Sequence, residues 1–210
     1  MKAAKRARSP RLTREQQRQQ KTEAILEGAW VTYCKKGYEG VTLDEVAEYA
    51  GVSRMPVYWL FGDKQNLFLE LWKRSIDGIV DRLELGTRAG RPLRENLKNL
   101  ARLIVAGVTN DAPRQAEGLF FVVQTIALSR PDIAEKLDAI SAGVLEITTQ
   151  FVRTSTLARG EQLRGEPGMI AAHLIAMING MSTVQFQTHR RFTNVEDLTA
   201  IFHAIALKSP

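Results

Sequence analysis

Cations are the first chemical feature of this 210-residue sequence. Residues 1–21 carry Lys2, Lys5, Arg6, Arg8, Arg11, Arg14, Arg18 and Lys21 against a single anion, Glu15. That stretch nets +7 in a chain whose formal charge is +6. Residues 22–80 net −3 and residues 81–210 net +2. Ammonium and guanidinium groups at this density neutralise phosphates and release counterions, which is the chemistry of polyanion binding. The same composition also suits a solvated tail that keeps a protein soluble. It lacks the apolar face that an interfacial membrane helix needs.

Other chemistries are poorly served. There is no Gly-rich phosphate loop of either common spacing, no G-x-S-x-G elbow and no H-E-x-x-H pair. His173, His189 and His203 are too far apart in sequence to read as a metal motif, and no carboxylate cluster joins them. Nothing calls for a cofactor. Cys34, the one cysteine, excludes an internal disulfide framework and reads as a small buried apolar residue that fits a reducing cytoplasm. With no apolar core in the first 21 residues, no secretory leader is expected. No run approaches the roughly 18 uninterrupted apolar residues of a membrane span. Hydrophobic residues at 44% are enough for a real core, so wholesale disorder is unexpected.

The elements that would carry the cations are helices. Between residues 15 and 36, Ile25, Leu26, Ala29, Trp30, Tyr33 and Cys34 form one apolar stripe at helical spacing, closed by Gly37. Thr42-Leu43-Asp44-Glu45 reads as a capping box, with Thr42 as N-cap. Leu43, Val46, Ala47 and Ala50 give that short helix its apolar face, and Gly51 supplies the left-handed residue that ends it. Ser53 is a second N-cap two residues later, and Pro56 falls in a first turn where its missing N–H costs little. Gly62 closes the second short helix, and Asp63 caps the next. Two short helices around Gly51-Val52-Ser53, with Val52 expected to be buried between them, form a helix-turn-helix signature. The second helix would present its outer N-terminal face to a major groove.

Residues 22–72 resemble the DNA-binding domain of TetR-family transcriptional regulators. The residues that carry the resemblance are Ala24-Ile25-Leu26, Ala29, Lys36-Gly37-Tyr38, Val41-Thr42 and Val46-Ala47, then Ala50-Gly51-Val52-Ser53, Val57-Tyr58-Trp59-Leu60-Phe61, Lys64, Leu67 and Phe68. The resemblance implies that Thr42 touches a phosphate. It implies that Ser53, Arg54, Met55 and Pro56 open a recognition helix facing base edges or backbone. It further implies that the Tyr58 hydroxyl meets a phosphate, that Trp59 lies beside the groove, and that Lys64 contacts the backbone. Hydroxyls and ammonium groups position a duplex, whereas Arg can read guanine O6 and N7. Met55, Pro56 and Leu60 depart from the small, hydroxyl-bearing and Tyr or His residues common at those positions. The departures shift readout toward van der Waals contact, as with thymine methyls.

Residues 93–109, 115–129, 131–157, 167–189 and 194–207 carry helical periodicity, so a helical bundle is expected. The resemblance implies that the last two segments pair with their copies in a homodimer, which suits two recognition helices reaching half-sites about 34 Å apart. It also implies an effector pocket. Phe120, Phe121, Gln124, Phe151, His173, Met177 and Met181 are candidates to line it, with Gln124 or His173 as polar anchors, although each also reads as ordinary core.

The expectation is therefore an all-α, two-domain, non-enzymatic protein. A basic arm (1–14) leads to a helix-turn-helix domain (15–62), a connecting helix (63–83) and a ligand-binding and dimerisation domain (84–210). It would be a cytoplasmic repressor that binds a palindromic double-stranded DNA operator as a homodimer and is released by a small apolar effector, with no membrane partner. An activator or architectural protein without effector, and a helical ligand-binding protein with a solubilising tail, remain as alternatives.

Overall fold

A computed structural model describes residues 13–109, 113–188 and 194–208; most of the basic arm lies outside them. The described residues form nine helices and no strand: α1 (Arg14–Lys36), α2 (Leu43–Tyr49), α3 (Arg54–Phe61), α4 (Lys64–Gly86), α5 (Leu93–Thr109), α6 (Pro113–Ser129), α7 (Pro131–Thr154), α8 (Pro167–Thr188) and α9 (Val195–Ala206). Contacts divide the chain into two units after Leu67. The fold is all-α, with an N-terminal helix-turn-helix unit and a helical C-terminal unit.

In the first unit the starts of α1 and α2 are fixed by side-chain chemistry. Thr13 and Gln16 form a capping box on α1: Thr13 Oγ1 accepts from the Gln16 amide, and Gln16 Oε1 accepts from the Thr13 amide. Thr42 and Glu45 do the same on α2, at 3.3 and 3.1 Å. A cap of this kind contributes about 1 kcal/mol. Ser53 stands at the N-cap of α3 but makes no side-chain cap bond. Gly51 takes φ of 65°, a conformation costly for other residues, and so the chain can turn within three residues. Val52 is half-buried rather than fully buried; its amide, donating to the Ala47 carbonyl at 3.0 Å, fastens the turn to α2. The side chains that hold the three helices together are Ile25, Ala29, Tyr33, Val46, Val57 and Leu67, all fully buried. Trp30 and Cys34, expected on the buried stripe, lie at its half-exposed edge, whereas Gly28, Val31 and Thr32 are buried.

Tyr33 joins this core to the following helix. Its hydroxyl donates to the Lys64 carbonyl at 2.8 Å, and its ring stacks on Tyr38 with centroids 6.1 Å apart. Burial raises the Tyr33 hydroxyl well above its ordinary range and pushes the Cys34 thiol from 9.0 up to about 11. Both neutral forms are thus favoured by folding. Their contribution is complete below the unfolded-state value and is lost as pH climbs through the folded one. Melting of the wild-type protein should be flat from about pH 7 to about pH 9 and then fall, Cys34 acting first and Tyr33 above pH about 10. Cys34→Ala should remove the early part of that fall. Identical pH–melting curves for the two proteins would refute it.

The second unit packs α5 and α7–α9 around Leu93, Leu97, Phe151, Ile170, Leu174, Leu198 and Phe202. Asn96 is fully buried, and its amide bonds the Arg88 backbone and the Ser155 hydroxyl, so the α4–α5 turn is tied to the end of α7. The segment expected to be helical to residue 157 stops at Thr154. Beyond it Thr156 is extended, donating to the Arg91 carbonyl and accepting from the Leu93 amide. The helix expected over residues 63–83 continues to Gly86, and there the Thr87 amide and hydroxyl both close on the Leu83 carbonyl. Among the described residues, one stretch (Pro167–Gln185, in α8) is long and apolar enough to cross a membrane by length and composition. Uninterrupted apolar runs do not reveal it, because His173, Asn179, Ser182 and Thr183 interrupt them, while the lack of charge keeps its mean hydropathy high. Most of that stretch is not buried within the chain.

Candidate nucleic-acid interface

The helix-turn-helix leaves the outer face of α3 uncovered. Met55 and Trp59 are the most exposed large apolar side chains of the unit, at 75% and 71%, and Tyr58 is exposed beside them. Hydrophobic transfer alone would bury such groups, so their exposure marks a surface shaped for contact. Val57 and Phe61, on the opposite face, are core.

Arg54 and Tyr58 lie one turn apart and both meet Asp44 of α2. Arg54 Nη1 pairs with Asp44 Oδ2 at 3.0 Å, and the Tyr58 hydroxyl donates to Asp44 Oδ1 at 3.4 Å. Thr42 is exposed, and its hydroxyl is already engaged in the α2 cap. Lys36 donates to Glu45 at 2.6 Å. That bond, followed by the Thr42 amide, holds the Glu45 carboxyl below the usual carboxylate range.

Lys64 has a different neighbourhood from the one its type suggests. Its ammonium sits 4.7 Å above the Tyr38 ring and 3.3 Å from the carbonyls of Tyr38 and Glu39 and from Glu39 Oε2. In this position it secures the turn after α1.

The structure also brings together residues the sequence did not. Arg14, Gln17, Arg18 and Lys21 of α1 face Met55, Pro56, Trp59 and Leu60 of α3 across an open cleft of about 470 Å³. The Arg18 guanidinium lies 5.2 Å from the Trp59 ring centroid, a cation–π contact between the two helices. The i, i+4, i+7 spacing of Arg14, Arg18 and Lys21 was the available signal: it puts all three on one helical face. The cleft therefore has an apolar floor and a cationic rim, and a phosphate backbone laid beside a groove contact matches both.

The candidate effector residues differ in burial and surroundings. Phe120 and Phe121 of α6 pack edge to face at 5.7 Å. Phe151 is buried in the C-terminal core, and Met177 packs against that core. Gln124 and His173 are exposed, so neither serves as a polar anchor inside the isolated chain.

Residues 25–71 match the family described as bacterial regulatory proteins, tetR family. The chain is 33% identical over 109 residues to the HTH-type transcriptional regulator AcrR of Shigella flexneri, a match that covers 50% of each protein. It is 47% identical over 49 residues to the HTH-type transcriptional repressor AcnR of Corynebacterium glutamicum, 23% of this chain and 26% of that one. The chain thus spans half or less of the length of these curated relatives. The fold is similar to that of NalD, the secondary repressor of the MexAB-OprM multidrug efflux pump in Pseudomonas aeruginosa. The TM-score is 0.67 at 21% identity, over 91% of this chain and 98% of that one.

Proposed function

We propose, from the premise that this chain belongs to the bacterial TetR family of regulators, that it is a cytoplasmic, sequence-specific DNA-binding repressor. The observation that carries the reading is the uncovered face of α3, Arg54 to Trp59, continued by the Arg14, Arg18 and Lys21 stripe of α1. In this reading Arg54 reads a base edge and Met55 and Pro56 add apolar contact. Ser53, Tyr58 and Thr42 meet phosphates, and Trp59 lines the groove wall. Lys64 contributes by holding the Tyr38–Glu39 turn, and a direct phosphate contact would require it to leave three oxygen partners. The arm before Thr13 adds further backbone contacts.

The operator in this reading is palindromic and the protein a homodimer. Met169, Val184 and Ile201 leave apolar surface uncovered on α8 and α9, which supports pairing of these helices with their copies. A small apolar effector in the C-terminal unit would release DNA by favouring one of two dimer shapes, the change passing along α4. Phe120, Phe121, Phe151 and Met177 keep their place as candidate lining; Gln124 and His173 would contribute only in a different arrangement from the isolated chain.

A gel-shift with the DNA upstream of its own gene tests the reading, and absence of a shift even at low salt would sink it. Arg54→Ala should cost about 1–3 kcal/mol per half-site on the preferred sequence and much less on random DNA. Equal losses on both would remove Arg54 from base readout.

A further inference from the structure

We propose that Asp44, its second oxygen held by Tyr58, is a specificity-determining residue that acts through Arg54; the inference rests on the DNA-binding reading above. Both Asp44 carboxylate oxygens are turned onto α3. One is 3.0 Å from the Arg54 guanidinium, and the other accepts from the Tyr58 hydroxyl. Arg54 and Tyr58 are four residues apart and share a helix face, and both are exposed on the side that would face DNA. One carboxylate therefore bridges a base-reading cation and a phosphate-seeking hydroxyl.

An acid in the first turn of α2 suits the helix dipole, and that alone explains an acid at this position. It does not explain why both oxygens leave the α2 amides and engage α3. A negative charge here also lies where phosphates would approach. A surface tuned only for affinity would not hold one, because like charge repels the duplex.

Discrimination is what the arrangement serves. On a random duplex, phosphates are the partners that recur at every position. Swinging Arg54 onto one breaks the Asp44 pair and leaves the carboxylate facing the backbone. On the preferred sequence a base edge can take the guanidinium N–H groups that Asp44 does not use, and the pair survives. Asp44 thus weakens generic binding more than specific binding. It also limits the directions in which the long Arg54 side chain can point.

The test compares the full-length wild-type protein with Asp44→Asn, Asp44→Glu, Arg54→Ala and the Asp44→Asn/Arg54→Ala double variant. The probes are the duplex that the wild-type protein most enriches from a random pool and a scrambled duplex of equal length. Asp44→Asn should tighten binding to the scrambled duplex about fivefold and change binding to the enriched one by less than about twofold, so that the ratio falls about fivefold. Asp44→Glu should hold the ratio near that of the wild type. In the Arg54→Ala background, Asp44→Asn should leave the ratio unchanged. A loss of folded protein lowers both affinities together and does not move the ratio. The inference is overturned if Asp44→Asn tightens both duplexes equally, which is plain charge repulsion, or if the ratio falls as far without Arg54. A wild-type protein that enriches no sequence overturns the DNA-binding reading itself, and with it this inference.

Discussion

Replacing Arg14, Arg18 and Lys21 together by glutamine should lower DNA affinity by about a hundredfold or more near 0.1 M salt, without unfolding the protein. The three side chains are exposed, and glutamine is a good helix former, so stability should move by no more than about 0.5 kcal/mol. The binding loss follows from counterion release. If each cation neutralises one phosphate, a dimer loses about six contacts, and the slope of log K against log salt should become shallower by about five. The loss should be similar on preferred and random duplexes, because phosphates carry no sequence information. An unchanged salt slope would show that the cleft between α1 and α3 does not hold the backbone. Arg18 supplies an internal control, since its loss also removes the cation–π contact with Trp59.

The second large effect is structural. Gly28→Leu should destabilise the helix-turn-helix unit by about 3 kcal/mol and remove DNA binding in proportion to the unfolded fraction. At Gly28, α1 packs tightly against α2. A Cβ built there would stand 3.2 Å from the Val46 carbonyl oxygen and 3.3 Å from both the amide nitrogen and the Cβ of Ala50. Two of those atoms are backbone and cannot rotate away, so a branched side chain must push α2 outward. The capped turn and the α3 face are displaced with it. Gly28→Ala is the informative partner. Its tight contact opposes a gain of about 1 kcal/mol in helix propensity, and the two should nearly cancel. Melting followed by circular dichroism and hydrogen exchange should show loss of protection in α1–α3 of Gly28→Leu while α5–α9 retain theirs. Equal stability of the leucine and wild-type proteins would contradict the close approach.

The helix-turn-helix was legible because its signals are local. The Thr42–Glu45 box, Gly51 and Gly62 each act within four residues of themselves; α2 begins at the box, and α2 and α3 end at the glycines. The box at Thr13 and Gln16 has the same form and fixes the start of α1 at Arg14; it was obscured by the surrounding cations. Contacts between helices were harder to foresee. Nothing in the sequence pairs Arg18 with Trp59, or Asp44 with Arg54 and Tyr58, because these depend on how helices cross. Lys64 shows the same limit: the family resemblance implies a phosphate contact, and no local signal shows that its ammonium also meets the Tyr38 and Glu39 carbonyls. Rotation about a helix axis is also weakly specified when most of its residues are apolar. Gln124 and His173 lie on helices of that kind, and both turn outward. The apolar surface of α8 has a further cause, since a single chain leaves most of that helix uncovered.

The central claim is that the α3 face reads DNA sequence. Selection of duplexes from a random pool by the full chain, followed by sequencing, tests it most directly. The account predicts enrichment of one motif with inverted half-sites about 34 Å apart, and loss of that preference in Arg54→Ala. A pool that stays random at about 0.15 M salt, where non-specific phosphate binding is weakened, or a motif that Arg54→Ala leaves intact, would contradict it.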